Sequence, residues 1–338
     1  MSGVELDLVT GSTGFVGRHM VELLLSKGHK VRATDLAAER PTFFPAQVHY
    51  IPADLTDPST LGDVCEGVDV LFHPASIFDF STPHEIMEKV NVEGTENLCE
   101  AASRAGVKRI VHWSTMMIFG DTAKKDTPMT EDTPRIAESI YASSKIRQED
   151  VVLRYCRQGR LPATVIRPAI IYGPRSVYGL ADMFIKLKLL PLIPLAPFVK
   201  NRLCMIHVAD VVGSAYHLSQ LDEAIGECYN VTDDFSHLPV GSLLTLAALI
   251  MEKNTVPIPL PAPIVRWFLS FLADFTEKHP WMKLAGRPAM EKDFVHLLNM
   301  DGYASNSKLK STGYEFVYPD WRIGLMETAS WYKEQSLW

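Results

Sequence analysis

Over the first two thirds of the chain, short apolar runs alternate with longer stretches of helical spacing. VELDLVTG (4–11) is the first run and ends in glycine. GRHMVELLLSKGH (17–29) repeats its apolar residues at helical intervals and stops at Lys27-Gly28. KVRATD (30–35), VHYIPAD (48–54), VDVLFHPA (68–75), KRIVHWST (108–115) and PATVIRPAIIYG (162–173) predict further strands. EIMEKVNVEGTENLCEAASRAG (85–106) and SIYASSKIRQEDVVLRYCRQG (139–159) predict long helices. Strands that alternate with helices in this way predict an α/β fold with a doubly wound parallel sheet.

After Gly173-Pro174 the pattern changes, as prolines cluster and apolar helical segments replace the alternation. CMIHVADVVGSAYHLSQ (204–220) resumes as strand then helix, and ECYNVTD (227–233) reads as one more strand. Residues 234–338 read as mostly helical, with a turn in SKLKSTGYEF. The expected division is a sheet domain over 1–174, completed by 204–233, and a smaller lobe made of 175–203 and 234–338.

With 338 residues, 47% of them hydrophobic, the chain can bury a large core. A net charge of −7 with no basic stretch leaves no footprint for nucleic acid. The five cysteines form no C-x-x-C pair and the histidines show no metal spacing, so neither a metal site nor a disulfide framework is expected. A reducing cytoplasm fits that usage. No basic and apolar leader precedes the first strand, and no apolar run reaches the roughly 18 residues of a spanning helix. Two oily stretches, LLPLIPLAPFV (189–199) and the region from NTVPIPLPAPIV to RWFLSFLA (254–273), read as buried core or as a lid over an apolar pocket. Peripheral contact with a membrane surface is their alternative reading.

Candidate chemistry starts at TGSTGFVG (10–17), between the first strand and the first helix. Gly11, Gly14 and Gly17 allow a sharp turn and a close approach of backbone to a pyrophosphate, which the open N–H groups of the helix start can hold. The expected role is dinucleotide binding, its alternative a glycine turn that merely packs the helix on the sheet; Ser12, Thr13, Phe15 and Val16 lie within it. Asp35, at the end of the second strand, can accept both ribose hydroxyls and would repel a 2′-phosphate, so NAD is expected rather than NADP. Arg32 and Arg40 are the residues that keep NADP open. Asp54 is read as an adenine-edge residue or a helix N-cap, with Leu55 beside it.

Tyr141 and Lys145 in YASSK lie on one helical face. Read alone, they make an ordinary turn of helix or an acid–base pair. In order along the chain stand TGSTGFVG, PADLTD, HPAS, NVEGTENL, HWSTMMIFG, YASSK, RPAIIYGP and IHVADVV. Together they resemble the extended short-chain dehydrogenase/reductase family over most of residues 5–233. The resemblance implies a Rossmann-type sheet with a helical substrate lobe, a homodimer through helices 85–106 and 139–159, and an active site. In that site Tyr141 is the catalytic tyrosine, Lys145 its lysine, Thr115 the hydroxyl residue (Ser114 its neighbour) and Asn91 the central-helix asparagine. His73, Pro74 and Ala75 match the loop over the cofactor, and Pro168, Ile170 and Ile171 the strand end along the nicotinamide. The implied chemistry is oxidation of an alcohol. The lysine ammonium is expected to lower the tyrosine pKa from its ordinary value near 10.

Members of this family differ in substrate. Those acting on nucleotide sugars carry a diphosphate-binding arginine four residues before the histidine of the IHV-x-D motif. Here that position is Leu203, with Arg202 one place earlier. The oily segments 183–199 and 256–275 suit an apolar ligand, as pocket wall or lid. The chain therefore looks most like the 3β-hydroxysteroid and sterol-4α-carboxylate branch. The expected reaction is NAD-dependent oxidation of a bulky apolar 3β-hydroxy substrate, with or without loss of a 4-carboxylate. The alternatives are a nucleotide-sugar epimerase or dehydratase, a ketone or β-keto-acid reductase, and a binding protein that senses NAD. The last would typically have lost Tyr141 or Lys145.

Overall fold

The computed structural model describes residues 5–79, 82–120, 127–195, 199–235, 238–279, 283–284, 287–288 and 301–335. Its centre is a parallel sheet of seven strands, here β1 (Leu6–Thr10), β2 (Lys30–Thr34), β3 (His49–Tyr50), β4 (Val70–His73), β5 (Arg109–Trp113), β6 (Ala163–Pro168) and β10 (Cys228–Val231). They stand in the order β10-β6-β5-β4-β1-β2-β3. Successive strands leave β1 in opposite directions, so the crevice for a ligand opens at the carboxyl ends of β1 and β4.

Strand alternation buries both faces. On β1, Leu8 packs with helix α2 (Gly94–Ala105) and helix α3 (Ile140–Arg157), while Val9 packs with α1 (Phe15–Ser26) and α5 (Val208–Ser219). Ile110 and Val111 divide in the same way on β5. A third core lies outside the sheet. It gathers Phe184 and Leu187 of α4 (Leu180–Leu189), Leu243 of α6 (Val240–Ile250), and Trp321 and Leu325 of α8 (Trp321–Glu334).

Three elements differ from the sequence expectation. The third strand pairs over two residues only, although Ile51 N and Ala53 N still bond to Ala33 O and Asp35 O. The long helix expected over 85–106 is interrupted, because a wide π turn over Glu88–Glu93 precedes α2. The strand expected over 162–173 changes partners at Ala169. Beyond it, β7 (Ile170–Tyr172) leaves the main sheet to pair with β9 (Met205–His207). A second small pair joins β8 (Ile193–Leu195) to β11 (Thr255–Pro257), which leads into α7 (Ala262–Lys278).

Asp210 ties the C-terminal turn to the sheet domain. It is fully buried in α5 and accepts from Tyr314 Oη (3.1 Å), Val317 N (2.7 Å) and Tyr318 N (2.8 Å). Burial still raises its pKa above the ordinary carboxylate value. The Asp210→Ala variant leaves those donors without their acceptor. It should lose at least about 3 kcal/mol of stability in urea unfolding; a loss under about 1 kcal/mol would show that the turn is held by other contacts.

Candidate active site

The glycine turn is shaped by close approaches that a side chain would block. Gly11 has φ +57°, and a Cβ there would stand 2.9 Å from Ala75 Cα. A Cβ on Gly17 would stand 2.1 Å from Gly11 O. The β1–α1 turn therefore lies directly against the loop after β4, at the crevice. No side chain caps the start of α1, so its first N–H groups face that crevice. The turn fits a dinucleotide pyrophosphate, which Gly11 to Gly17 would hold.

Asp35 braces this turn. Its Oδ2 accepts from Thr13 N (2.9 Å) and Thr13 Oγ1 (2.6 Å), and its Oδ1 accepts from Leu36 N (2.8 Å). A carboxylate has about four acceptor positions, so capacity remains for ribose hydroxyls. The arginines that kept NADP open are committed elsewhere. Arg32 donates to the carbonyls of Asp63, Val64 and Glu66, and Arg40 to those of Phe44 and Pro45. Asp54 closes a local turn through Thr56 N (2.8 Å), while Asp57 caps the short helix that follows. Leu55 packs against Gly94 of α2, where a Cβ would come within 2.9 Å.

Thr115, Tyr141 and Lys145 meet where α3 crosses the end of β5. Thr115 follows β5, and Tyr141 shares a hydrogen bond with its hydroxyl. Lys145 Nζ donates to Trp113 O at 2.6 Å. The spacing is geometric. Four residues of helix rise about 6 Å, and two residues of strand about 6.6 Å. Tyr141 and Lys145 on the helix therefore match Thr115 and Trp113 on the strand end. Ser114 is turned away, buried, with no hydrogen-bond partner for its Oγ among the described residues. That resolves which neighbouring hydroxyl faces the tyrosine.

Electrostatics differ from the expectation. Burial raises the Tyr141 pKa above its ordinary 10, and the bond from Thr115 only partly offsets this. Lys145 is 2% exposed, and burial lowers its pKa to about 7, against the opposing pull of Glu149. Burial is the leading cause of both shifts, because losing water disfavours the charged form of each group.

Asn91 is buried behind the site. Its Oδ1 accepts from Ile77 N (2.7 Å), and its Nδ2 donates to Ile77 O (2.9 Å) and Ser144 Oγ (3.1 Å). It clamps the loop after β4 to α3 and is occupied by protein on both sides. His73 is likewise bonded to protein through both ring nitrogens. It is fully buried, with Nδ1 2.8 Å from Thr10 Oγ1 and Nε2 3.0 Å from Thr95 Oγ1. Thr95 donates its own proton to Asn91 O, so His73 carries its proton on Nε2 and accepts at Nδ1. Burial pushes its pKa down to about 3. Pro74 and Ala75 are half-buried and form the loop wall against Gly11. Pro168 is buried at the end of β6, whereas Ile170 and Ile171 remain half-exposed.

Three residues escaped the sequence reading. Gln148 donates to Thr95 Oγ1 at 2.8 Å. Glu149 and Arg167, both buried, form an ion pair with Arg167 Nε 3.1 Å from Glu149 Oε2. This pair ties α3 to β6 one turn beyond Lys145. The signal available was slight: a charge on a mostly polar helix and another inside an apolar strand. At the other end of β1, Asp7 Oδ2 lies 2.7 Å from His29 Nδ1, with Glu5 beside them. Farther on, Arg202 bonds to Asp301 through Nε at 2.9 Å, and Leu203 is buried in the third core. Met183, Leu187 and Ile193, expected as pocket wall, belong to that core too, and 196–198 lie outside the described residues.

The sequence model of the NAD dependent epimerase/dehydratase family matches residues 8–232. The chain belongs to this family. NAD is the cofactor its description names, and the glycine turn and Asp35 are built for it. Among family relatives, the chain is 28% identical over 335 residues to a 3 beta-hydroxysteroid dehydrogenase/Delta 5-->4-isomerase of Mycobacterium tuberculosis, covering 92% of this chain and 86% of that one. It is 32% identical over 261 residues to the decarboxylating sterol-4-alpha-carboxylate 3-dehydrogenase of Bos taurus, covering 74% and 72%. A UDP-glucose 4-epimerase structure from Thermotoga maritima superposes with a TM-score of 0.76 over 98% of this chain and 99% of that one; at 20% identity it shares the fold.

Two outcomes follow from this geometry. Glu149→Gln leaves Arg167 buried without its charge partner and should cost roughly 3–5 kcal/mol of stability, read by denaturant unfolding. A cost below about 1 kcal/mol would show the pair to be dispensable. The second concerns pH. His73 has its pKa lowered from 6.5 to about 3, so between those values the unfolded chain binds a proton that the folded chain refuses. Stability should therefore be full above 6.5 and fall as pH drops toward 3, and His73→Gln should flatten part of that slope. An unchanged slope would mean that His73 binds its proton in the fold as it does in the unfolded chain.

Proposed function

We propose that this protein is an NAD-dependent dehydrogenase that oxidises a bulky apolar 3β-hydroxy substrate of sterol type to the ketone. The observation that carries the substrate class is the fate of the diphosphate position. Leu203 stands there and is packed into the third core, while the neighbouring Arg202 is engaged by Asp301. Relatives named for 3β-hydroxysteroid and sterol-4-alpha-carboxylate oxidation support the same reading.

The site's geometry supports these roles. Thr115 orients the substrate oxygen, and the Tyr141 hydroxyl beside it takes the alcohol proton. NAD, when bound, supplies the hydride acceptor. Lys145, with its pKa near 7 and its ammonium fixed on Trp113 O, gives the tyrosine a nearby group that holds or releases a proton at neutral pH. Asn91 and His73 keep the crevice walls in place and touch no reacting atom. A carboxyl on the carbon next to the new ketone can leave through an enolate, so decarboxylation of a 4-carboxylate needs no further machinery. The same proposal includes a homodimer through the helices at 85–106 and 139–159 and a reducing, cytoplasmic setting, which the scattered spacing of the five cysteines supports. No helix among the described residues is long and apolar enough to cross a membrane.

Tyr141→Phe should abolish turnover, by about a hundred- to ten-thousand-fold, with melting temperature and NAD affinity nearly unchanged. Near-normal turnover per folded molecule would make Tyr141 a packing residue only. The substrate reading is tested by NADH fluorescence with 3β-hydroxysteroids, 4-carboxysterols, β-hydroxy acids and UDP-sugars, under NAD and NADP. Turnover of a hydroxysterol with NAD is expected. Turnover of a UDP-sugar alone, or tighter binding of NADP, would overturn it.

A further inference from the structure

Helix α7 is apolar on two sides, and only one of them is covered. Ile264, Trp267, Phe268, Phe271 and Phe275 fall within one stripe about 100° wide on a helical projection. All are exposed, Trp267 to 67% and Phe268 to 53%. A different face makes the helix's contacts with the rest of the chain: Val265, Leu269 and Leu272 are half-buried there, and Ala273 and Thr276 are buried. Trp267, Phe271 and Phe275 stack along the stripe with ring centroids 5.9 and 6.1 Å apart, and His279 continues the stack at 4.1 Å from Phe275. A helix serving only the protein core needs one apolar face, and it would turn its largest rings inward.

We propose that this stripe docks on the surface of a phospholipid bilayer, with the helix lying in the interface plane. The size of the patch argues against a second copy of the chain. At 150–250 Å² per aromatic side chain, the exposed part of these five residues comes to on the order of 500 Å². A stable dimer removes roughly 800 Å² from each partner. An interfacial helix needs only one apolar face sunk to headgroup depth, and tryptophan favours that depth. Charge points to the same partner. The chain carries −7 overall, yet residues 183–209 contain Lys186, Lys188, Lys200 and Arg202 and no acidic residue. This segment supplies β8, the strand paired with the one leading into α7. Lys186 and Arg202 are engaged by Asp182 and Asp301, which leaves Lys188 and Lys200 exposed to meet anionic headgroups. The inference rests on the helix and its charges, and holds whatever the substrate.

Flotation of the full chain tests it, with vesicles of phosphatidylcholine and vesicles in which a quarter of the lipid is phosphatidylglycerol. The wild type should float with both and more with the anionic mixture. The double variant Trp267→Ser with Phe271→Ser should lose binding by roughly tenfold or more while keeping its melting temperature. Absence of flotation in the wild type overturns the proposal, as does equal flotation of the double variant. So does a concentration-dependent dimer in lipid-free sedimentation that the double variant abolishes, because the stripe would then be a copy-to-copy interface.

Discussion

The match between one turn of α3 and two residues at the end of β5 governs this structure. Lys145 Nζ sits 2.6 Å from Trp113 O, and Tyr141 reaches Thr115. Both contacts form only if the helix crosses the strand end at one place and one rotation. A shift of one residue along β5 would turn every strand side chain to the other face. The crossing is held by what lies beyond it, the buried ion pair of Glu149 and Arg167 between α3 and β6. Burial that fixes the geometry also sets the protonation states, with Tyr141 pushed up and Lys145 pushed down to about 7.

A chain of buried hydrogen bonds connects this crossing to the cofactor crevice. It runs from Thr10 at the glycine turn through His73 and Thr95 to Asn91, and from Asn91 to Ser144 on α3. Each member has its partner, which is the condition under which a buried polar network makes a structure rigid instead of weakening it. The π turn at Glu88–Glu93 belongs to the same arrangement. Asn91 lies within it, facing both the Ile77 backbone and Ser144. The floor of the crevice and the acid–base helix are thus positioned as one body.

Much of this was legible in the sequence, for identifiable reasons. Strand and helix periods differ, so the alternation was visible. Gly11 and Gly17 are glycines because a Cβ would strike Ala75 or the Gly11 carbonyl, and such constraints leave a motif. Tyr141 and Lys145 were legible through their spacing. Other features were hidden because they depend on partners distant in sequence. The ring of His73 lies between Thr10 and Thr95, each distant from it in sequence. Glu149 and Arg167 carry no local signal of their pairing. The change of partners at Ala169 has no local signal, because Ile170–Tyr172 keeps strand character while joining Met205–His207. The oily stretches were read as one class, but 183–193 closes a core while 264–275 presents its rings outward.

Burial over β5 pushes the Lys145 pKa down to about 7. Carbon-13 NMR of the protein with labelled lysine side chains, titrated without cofactor, measures this directly. One lysine resonance should titrate near pH 7 and be missing in Lys145→Met. If no lysine titrates near pH 7, Lys145 keeps its charge through the neutral range, and desolvation does not control the site.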